Sequence, residues 1–225
     1  MKETKKIRVK VKKRKLKIKN LILFIIFITL LINTIYYILN KKIENIYIIN
    51  NKIVSDKEII KTAELEEYPS FLLNPKFILE KSIMNHPYIK DVTIKKSNFK
   101  LYIQINEYKQ LAIFNNKIIL ENGNLVENIY NTKELPIIIN EIDVLSFAEN
   151  FSKIDNNVLL KISQIEYVPN EVDNARYLLY MNDGNSVYIT LSKIEKINKY
   201  SSISSQMEGK NGIIYLDSGD YIELK

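Results

Sequence analysis

Cysteine and tryptophan are absent from the 225 residues, which also hold only one histidine, five glycines and five prolines. Without cysteine there is no disulfide scaffold, no thiolate nucleophile and no cysteine-held metal, so each folded unit must rest on its own apolar core. The single histidine, His86, excludes a His-rich metal site. Any Ser-His-Asp triad would have to use it beside Pro87, at a predicted helix stop, where a structural cap or surface residue is the simpler reading. So few glycines and prolines exclude collagen-like and Pro/Gly-rich disordered classes. No phosphate-cradling, dinucleotide-binding or EF-hand spacing occurs. Glu66-Glu67, Asp155 and Asp173 stand singly or as solvated pairs, and Ser and Lys are too common for a Ser/Lys dyad to be read from their co-occurrence. No catalytic, cofactor-binding or metal-binding residue is assigned. The fifteen tyrosines are read as core and interface residues.

What is present is unevenly placed. Residues 1–20 hold eleven Lys/Arg against Glu3, a local +10, although the whole chain carries +7. The excess is one tail, not a basic face. It lacks the interleaved aromatics of a nucleic-acid reader, so topology and attraction to anionic lipid explain it more simply. Leu21–Leu39 follows without a charge and with only Thr29, Asn33 and Thr34 clearly polar. As a helix it would reach roughly 28 Å, close to the hydrocarbon thickness of a bilayer. A cleaved signal peptide should have a shorter apolar core and a small-residue exit, whereas this exit reads Tyr36, Tyr37, Ile38, Leu39, Asn40, Lys41, Lys42. The reading is a retained single span, tail in the cytoplasm and residues from about 41 onward outside. Asn33 either bonds to a neighbouring helix or is merely tolerated.

Beyond the span, Ile43–Ile49 is β-rich and ends at Asn50-Asn51. Ser55-Asp56-Lys57-Glu58 has capping-box spacing and predicts a helix of about ten residues. Asn74-Pro75 predicts a second helix, with Asn74 as N-cap and an apolar stripe of Phe77, Ile78, Ile83 and Met84, stopped at His86-Pro87. Ile89–Lys95 and Leu101–Glu107 alternate as half-buried strands. The order strand, helix, helix, strand, strand predicts two helices over one sheet face, with the first and third strands as possible edges. Further on, Asn122-Gly123 and Asn182-Asp183-Gly184 signal hairpins, the latter between Tyr177–Met181 and Ser186–Thr190. Val144–Ile154 and Val158–Ile165 read as helical, and Ser192–Glu195 as a capping box opening a helix with Ile194, Ile197, Tyr200 and Ile203. Ile213–Leu216 and Tyr221–Leu224 read as closing strands.

This order resembles the FtsQ/DivIB family of bacterial cell-division proteins, whose juxtamembrane β-α-α-β-β module is called a POTRA domain. The resemblance spans essentially the whole chain and rests on Ile46–Ile59, His86–Lys96, Leu101–Phe114, Leu120–Val126, Glu134–Ile139 and Ile213–Leu224. Two departures stand out. Asn50 replaces a common glycine, and no proline follows Glu107. The implied architecture is α+β: basic tail 1–20, transmembrane helix 21–39, POTRA-like domain 43–108, and a mixed β-rich domain 109–225. The resemblance implies a non-catalytic scaffold at the division septum, without cofactor, which binds small coiled-coil proteins of the FtsL and FtsB/DivIC type and helps regulate septal wall synthesis. Septal wall synthases are further implied partners, and nucleic acid is not. The implied contact surface is Ile213, Ile214, Tyr215, Leu216, Asp217, Ser218, Gly219, Tyr221, Ile222 and Glu223, with Arg176 as a basic residue before the penultimate hairpin. An extended partner segment pairing with an exposed strand edge is the expected mode; the bland alternative is a strand that only completes its own sheet. The competing classes are a membrane-anchored extracytoplasmic enzyme and a POTRA-type secretion adaptor, although no membrane β-barrel sequence follows the module.

Overall fold

A computed structural model describes residues 17–224; most of the basic tail lies outside them. Helix α1, Ile18–Leu39, has every side chain exposed and is the one helix among the described residues long and apolar enough to cross a bilayer. Three of its polar side chains bond back to the preceding turn. Thr29 and Thr34 donate to Ile25 and Leu30 carbonyls at 2.9 and 2.8 Å, and the Asn33 amide donates to Thr29 O at 3.0 Å. Such back-bonding to the preceding turn lowers the cost of these groups in an apolar span; it uses one donor of the Asn33 amide and is compatible with either reading of that residue.

Strand β1 (Asn45–Ile49), helices α2 (Asp56–Thr62) and α3 (Lys76–Met84), and strands β2 (Ile89–Ser97) and β3 (Lys100–Glu107) follow in the expected order. The sheet runs β1-β3-β2, with β1 parallel to β3 and β2 antiparallel to it. The third strand is therefore central and the edges are β1 and β2, a correction to the sequence reading. The cause is non-local: β2 and β3 form a hairpin through Asn98 and Phe99, both at positive φ, and β1 adds on the far side of β3. Asn50, at φ 69°, occupies the left-handed conformation that a glycine would take there, so its substitution keeps the turn.

The Ser55 hydroxyl caps α2 by accepting from Glu58 N at 3.3 Å, but α2 is seven residues long and Glu58 does not close the box. α3 starts one residue later than predicted, with Pro75 as N-cap, while Asn74 donates instead to Ser70 O. Its buried residues are Leu79 and Ile83; Phe77, Ile78 and Met84 face outward, contrary to the predicted stripe.

A nine-stranded sheet follows. It comprises β4 (Gln110–Phe114), β5 (Lys117–Leu120), β6 (Leu125–Glu127), β7 (Ile137–Ile138), β8 (Ile162–Tyr167), β9 (Arg176–Met181), β10 (Ser186–Thr190), β11 (Gly212–Tyr215) and β12 (Tyr221–Leu224). Its order is β12-β11-β10-β9-β8-β7-β4-β5-β6. Both predicted hairpins form, with Gly123 and Gly184 at positive φ. Helix α4 (Val144–Phe151) is capped by Asp143, which accepts from Leu145 N and Ser146 N. Val158–Ile165 is not one helix: α5 (Asn156–Leu159) is a single turn, and Ile162 onward is drawn into β8 by pairing with β7 and β9. The stretch after β10 also differs from prediction. Leu191–Lys199 is a 3-10 helix with no side-chain cap, continued by α6 (Tyr200–Ser205). Leu191, Ile194, Ile197 and Tyr200 recur every third residue and are all buried, the spacing a three-residue turn needs.

Two cores result. One lies under the first sheet, built on Ile59, Leu79, Ile83, Leu101 and Ile103; the other packs Phe147 and Phe151, ring centroids 3.9 Å apart, with Tyr177, Leu179 and Ile189. They meet at β5, where Ile118 and Leu120 join the first core and Ile119 the second, the two-residue period of a strand buried on both faces. The Tyr88 hydroxyl donates to Glu127 O at 2.8 Å across the same junction.

Candidate partner-binding edge

At the far end of the large sheet, β11 lies parallel to β10 and antiparallel to β12, and β12 is the edge. Leu216 N–H donates to Tyr188 O at 2.8 Å, so Ile214 and Leu216 direct their backbone groups toward β10. By alternation Ile213 and Tyr215 face β12 and bond with their register partners Glu223 and Tyr221. Ile222 and Leu224 therefore present their N–H and C=O groups to the open side of the sheet.

Side chains sort by the same alternation. Ile214 and Leu216 are buried and Ile222 packs against the core, so these three hold the edge in place and offer little to a partner. Ile213, Tyr215, Tyr221 and Glu223 share the outer face. There Tyr188, Tyr215 and Tyr221 stack in a row, with centroids 5.3 and 4.5 Å apart, and the Tyr215 hydroxyl donates to Glu223 at 3.2 Å. The Arg176 guanidinium lies over Tyr188, 3.8 Å from its centroid, and its Nε donates to Asp217 Oδ2 at 2.6 Å. Asp217 is nearly buried, its side chain 6% exposed against 19% for Arg176. Burial pushes the Asp217 carboxyl up, but hydrogen bonds from Arg176 and Ser218 and the Arg176 charge outweigh it, leaving the group below the usual carboxylate range. Ser218, Gly219 and Asp220 form the exposed hairpin loop, pinned by Lys196 to Asp220 at 2.6 Å and by Lys193 to Asp217 O. Sequence reasoning grouped Arg176 with the closing strands but missed Tyr188, Lys193, Lys196 and Asp220. The alternation of tyrosines at 188, 215 and 221 was the available signal, once strand pairing is known.

His86 is neither exposed nor a simple cap. Its Nε2 lies 3.1 Å from Glu58 Oε1, and the Tyr130 hydroxyl donates to Glu58 Oε2 at 2.8 Å, joining α2, the turn before β2 and the segment after β6. Burial raises the Glu58 carboxyl, but the bonds from Tyr130 and His86 more than offset it and leave it lowered; burial and Glu58 raise the Tyr130 hydroxyl. The cluster is a clasp between elements. Glu107 has a comparable role, accepting from the backbone N–H groups of Lys52, Ile53 and Val54 at 2.8 to 3.1 Å. Among the described residues, no three His, Cys, Asp or Glu side chains are placed to hold a metal ion.

An apolar N-terminal helix, a three-stranded sheet under two helices and a long mixed sheet with an open terminal edge define a membrane-anchored POTRA protein. The family model for POTRA domains of FtsQ type matches residues 41–108. Cell division protein DivIB of Bacillus subtilis (strain 168) is 30% identical over 230 residues, spanning 96% of this chain and 88% of that protein. Cell division protein DivIB of Listeria monocytogenes is 28% identical over 227 residues, spanning 90% and 80%. The chain belongs to the DivIB family, and it is a single-pass membrane protein of cell division. The major extracytoplasmic domain of DivIB from Geobacillus stearothermophilus, in its trans isomer, aligns with 46% of this chain and 96% of that chain, at 22% identity and a TM-score of 0.38.

Proposed function

We propose that the chain is a non-catalytic scaffold of the division septum, with residues 1–20 in the cytoplasm and the units 43–108 and 109–225 outside. In this reading it takes an extended segment of small coiled-coil division proteins, of the FtsL and FtsB/DivIC type, onto the edge of β12, and through that complex helps regulate septal wall synthesis. The observation that carries the reading is the open edge at Ile222 and Leu224, beside a tyrosine row in which Tyr221 is exposed and Tyr215 and Tyr188 are half-buried. Backbone pairing supplies affinity there, and the alternate side chains Tyr221 and Glu223 supply selectivity.

Proline substitution tests it. Leu224→Pro removes one outward N–H and leaves the β11 ladder intact, whereas Glu223→Pro removes an inward one. Co-purification from cells expressing the full chain with its division partners should fail for Leu224→Pro while the melting curve holds. Retained partner binding by Leu224→Pro would refute strand addition at this edge.

A further inference from the structure

The outward turn of α3 leaves an apolar ridge that none of the described residues covers. Leu72, Leu73, Phe77 and Ile78 are 46, 61, 68 and 50% exposed and lie within seven residues of one another. Isolated exposed apolar residues need no explanation, but four large ones together do.

The backbone under this ridge is tied to the end of the membrane-spanning helix. The Ser70 hydroxyl donates to the carbonyl of Leu39, the last residue of α1. Phe71 N donates to Lys41 O at 2.9 Å, Ile43 N donates to Pro69 O at 3.0 Å, and Lys42 and Ser70 form a β-bridge. The loop is also stiff. Lys96 reaches beneath it to donate to the carbonyls of Phe71 and Asn74, with its ammonium 4.3 Å from the centre of the Phe71 ring. Residues 69–74 are thus held beside the C-terminal end of α1, where an inserted α1 would leave the hydrocarbon, and the exposed side chains begin two residues beyond Ser70. At that depth the boundary between headgroups and acyl chains accepts large apolar side chains, and the adjacent Lys42 suits anionic headgroups, whereas Lys41 and Lys76 are paired with Glu44 and Glu80 at 3.0 and 3.3 Å.

We infer that Leu72, Leu73, Phe77 and Ile78 insert into the outer leaflet of the bilayer that α1 spans, a second membrane contact that fixes the tilt of the first folded unit against the lipid surface. The contact restricts the unit to one orientation, which a lone helix followed by a short connection would not do. It depends on α1 being inserted and not on which partner meets β12.

The absence of tryptophan makes the test direct, since one substitution supplies the only indole. The full chain carrying Phe77→Trp, Leu73→Trp, Ile32→Trp or Val172→Trp is reconstituted into vesicles of phosphatidylcholine and phosphatidylglycerol with bromine at shallow or deep acyl positions. Ile32 reports insertion of α1, and Val172, 97% exposed in the second unit, is the solvent reference. Phe77→Trp and Leu73→Trp should emit to the blue of Val172→Trp and lose intensity preferentially to shallow bromine, while Ile32→Trp is quenched by deep bromine. Solvent-like, unquenched emission from positions 73 and 77 beside a quenched Ile32→Trp overturns the inference. Blue-shifted but unquenched emission also overturns it, because a protein surface and not lipid would then cover the ridge.

Discussion

Arg176→Ala is the sharpest perturbation of the candidate edge, because Arg176 and Asp217 stand 41 residues apart and tie the start of β9 to the loop of the terminal hairpin. Removing one partner of a buried pair costs about 3 to 5 kcal/mol, since the other charge is left unpaired. The 19% exposure of Arg176 argues for the lower figure, and loss of the stack on Tyr188 adds roughly 0.5 kcal/mol. For a folded body of this size about 3 kcal/mol lowers the melting temperature by roughly 6 to 12 °C. Thermal unfolding of the full chain in detergent, followed by circular dichroism, reads this, and the cycle with Asp217→Ala should return a coupling of about 1 to 3 kcal/mol. Arg176→Lys should fall between, keeping the charge but losing the planar stack. A melting curve unchanged by Arg176→Ala, or two single effects that simply add, would refute the claim that this pair anchors the edge. Any part Arg176 plays in partner binding would then be direct.

Tyr221→Lys, at an exposed position, should abolish complex formation with an unchanged melting curve; unfolding, or persistent binding, would contradict the proposed surface. Asp217 titrates below its usual value in the folded state, so its stabilisation is complete above the unfolded value of about 3.9 and is lost as pH falls through the lowered native one. Asp217→Asn should therefore flatten the acid limb of the stability profile measured by denaturant titration, and an identical limb would show that the pair contributes nothing. Glu107→Gln swaps a carboxylate for an amide facing three backbone donors and should cost about 2 kcal/mol, with faster amide exchange at Lys52, Ile53 and Val54; unchanged exchange there would exclude the role assigned to Glu107.

Much of the fold is legible because its signals are local. The apolar run of α1, the Ser55 cap and the turns at Asn122-Gly123 and Asn182-Asp183-Gly184 each depend on a few adjacent residues, and each forms. The misses share a cause in tertiary pairing. Val158–Ile165 carries apolar residues compatible with either state, and only the neighbours β7 and β9 turn Ile162 onward into a strand. The stripe on α3 mixed buried and exposed positions because Phe77 and Ile78 are apolar without facing the core. Glu58 satisfies half of a capping box in sequence, yet His86 and Tyr130, 28 and 72 residues away, claim its carboxylate. At the edge, the closing strands were readable but the bond from Arg176 to Asp217 and the tyrosine row were not, since both require the parallel placement of β11 on β10.

Amide hydrogen exchange across β12, measured on the free chain and on the chain with the proposed coiled-coil partners bound, tests strand addition most directly. Glu223, already bonded to β11, should be protected in both states, while Ile222 and Leu224 should exchange rapidly in the free chain and slow sharply in the complex. Equal exchange at Ile222 and Leu224 in the two states, with the complex intact, would contradict the account.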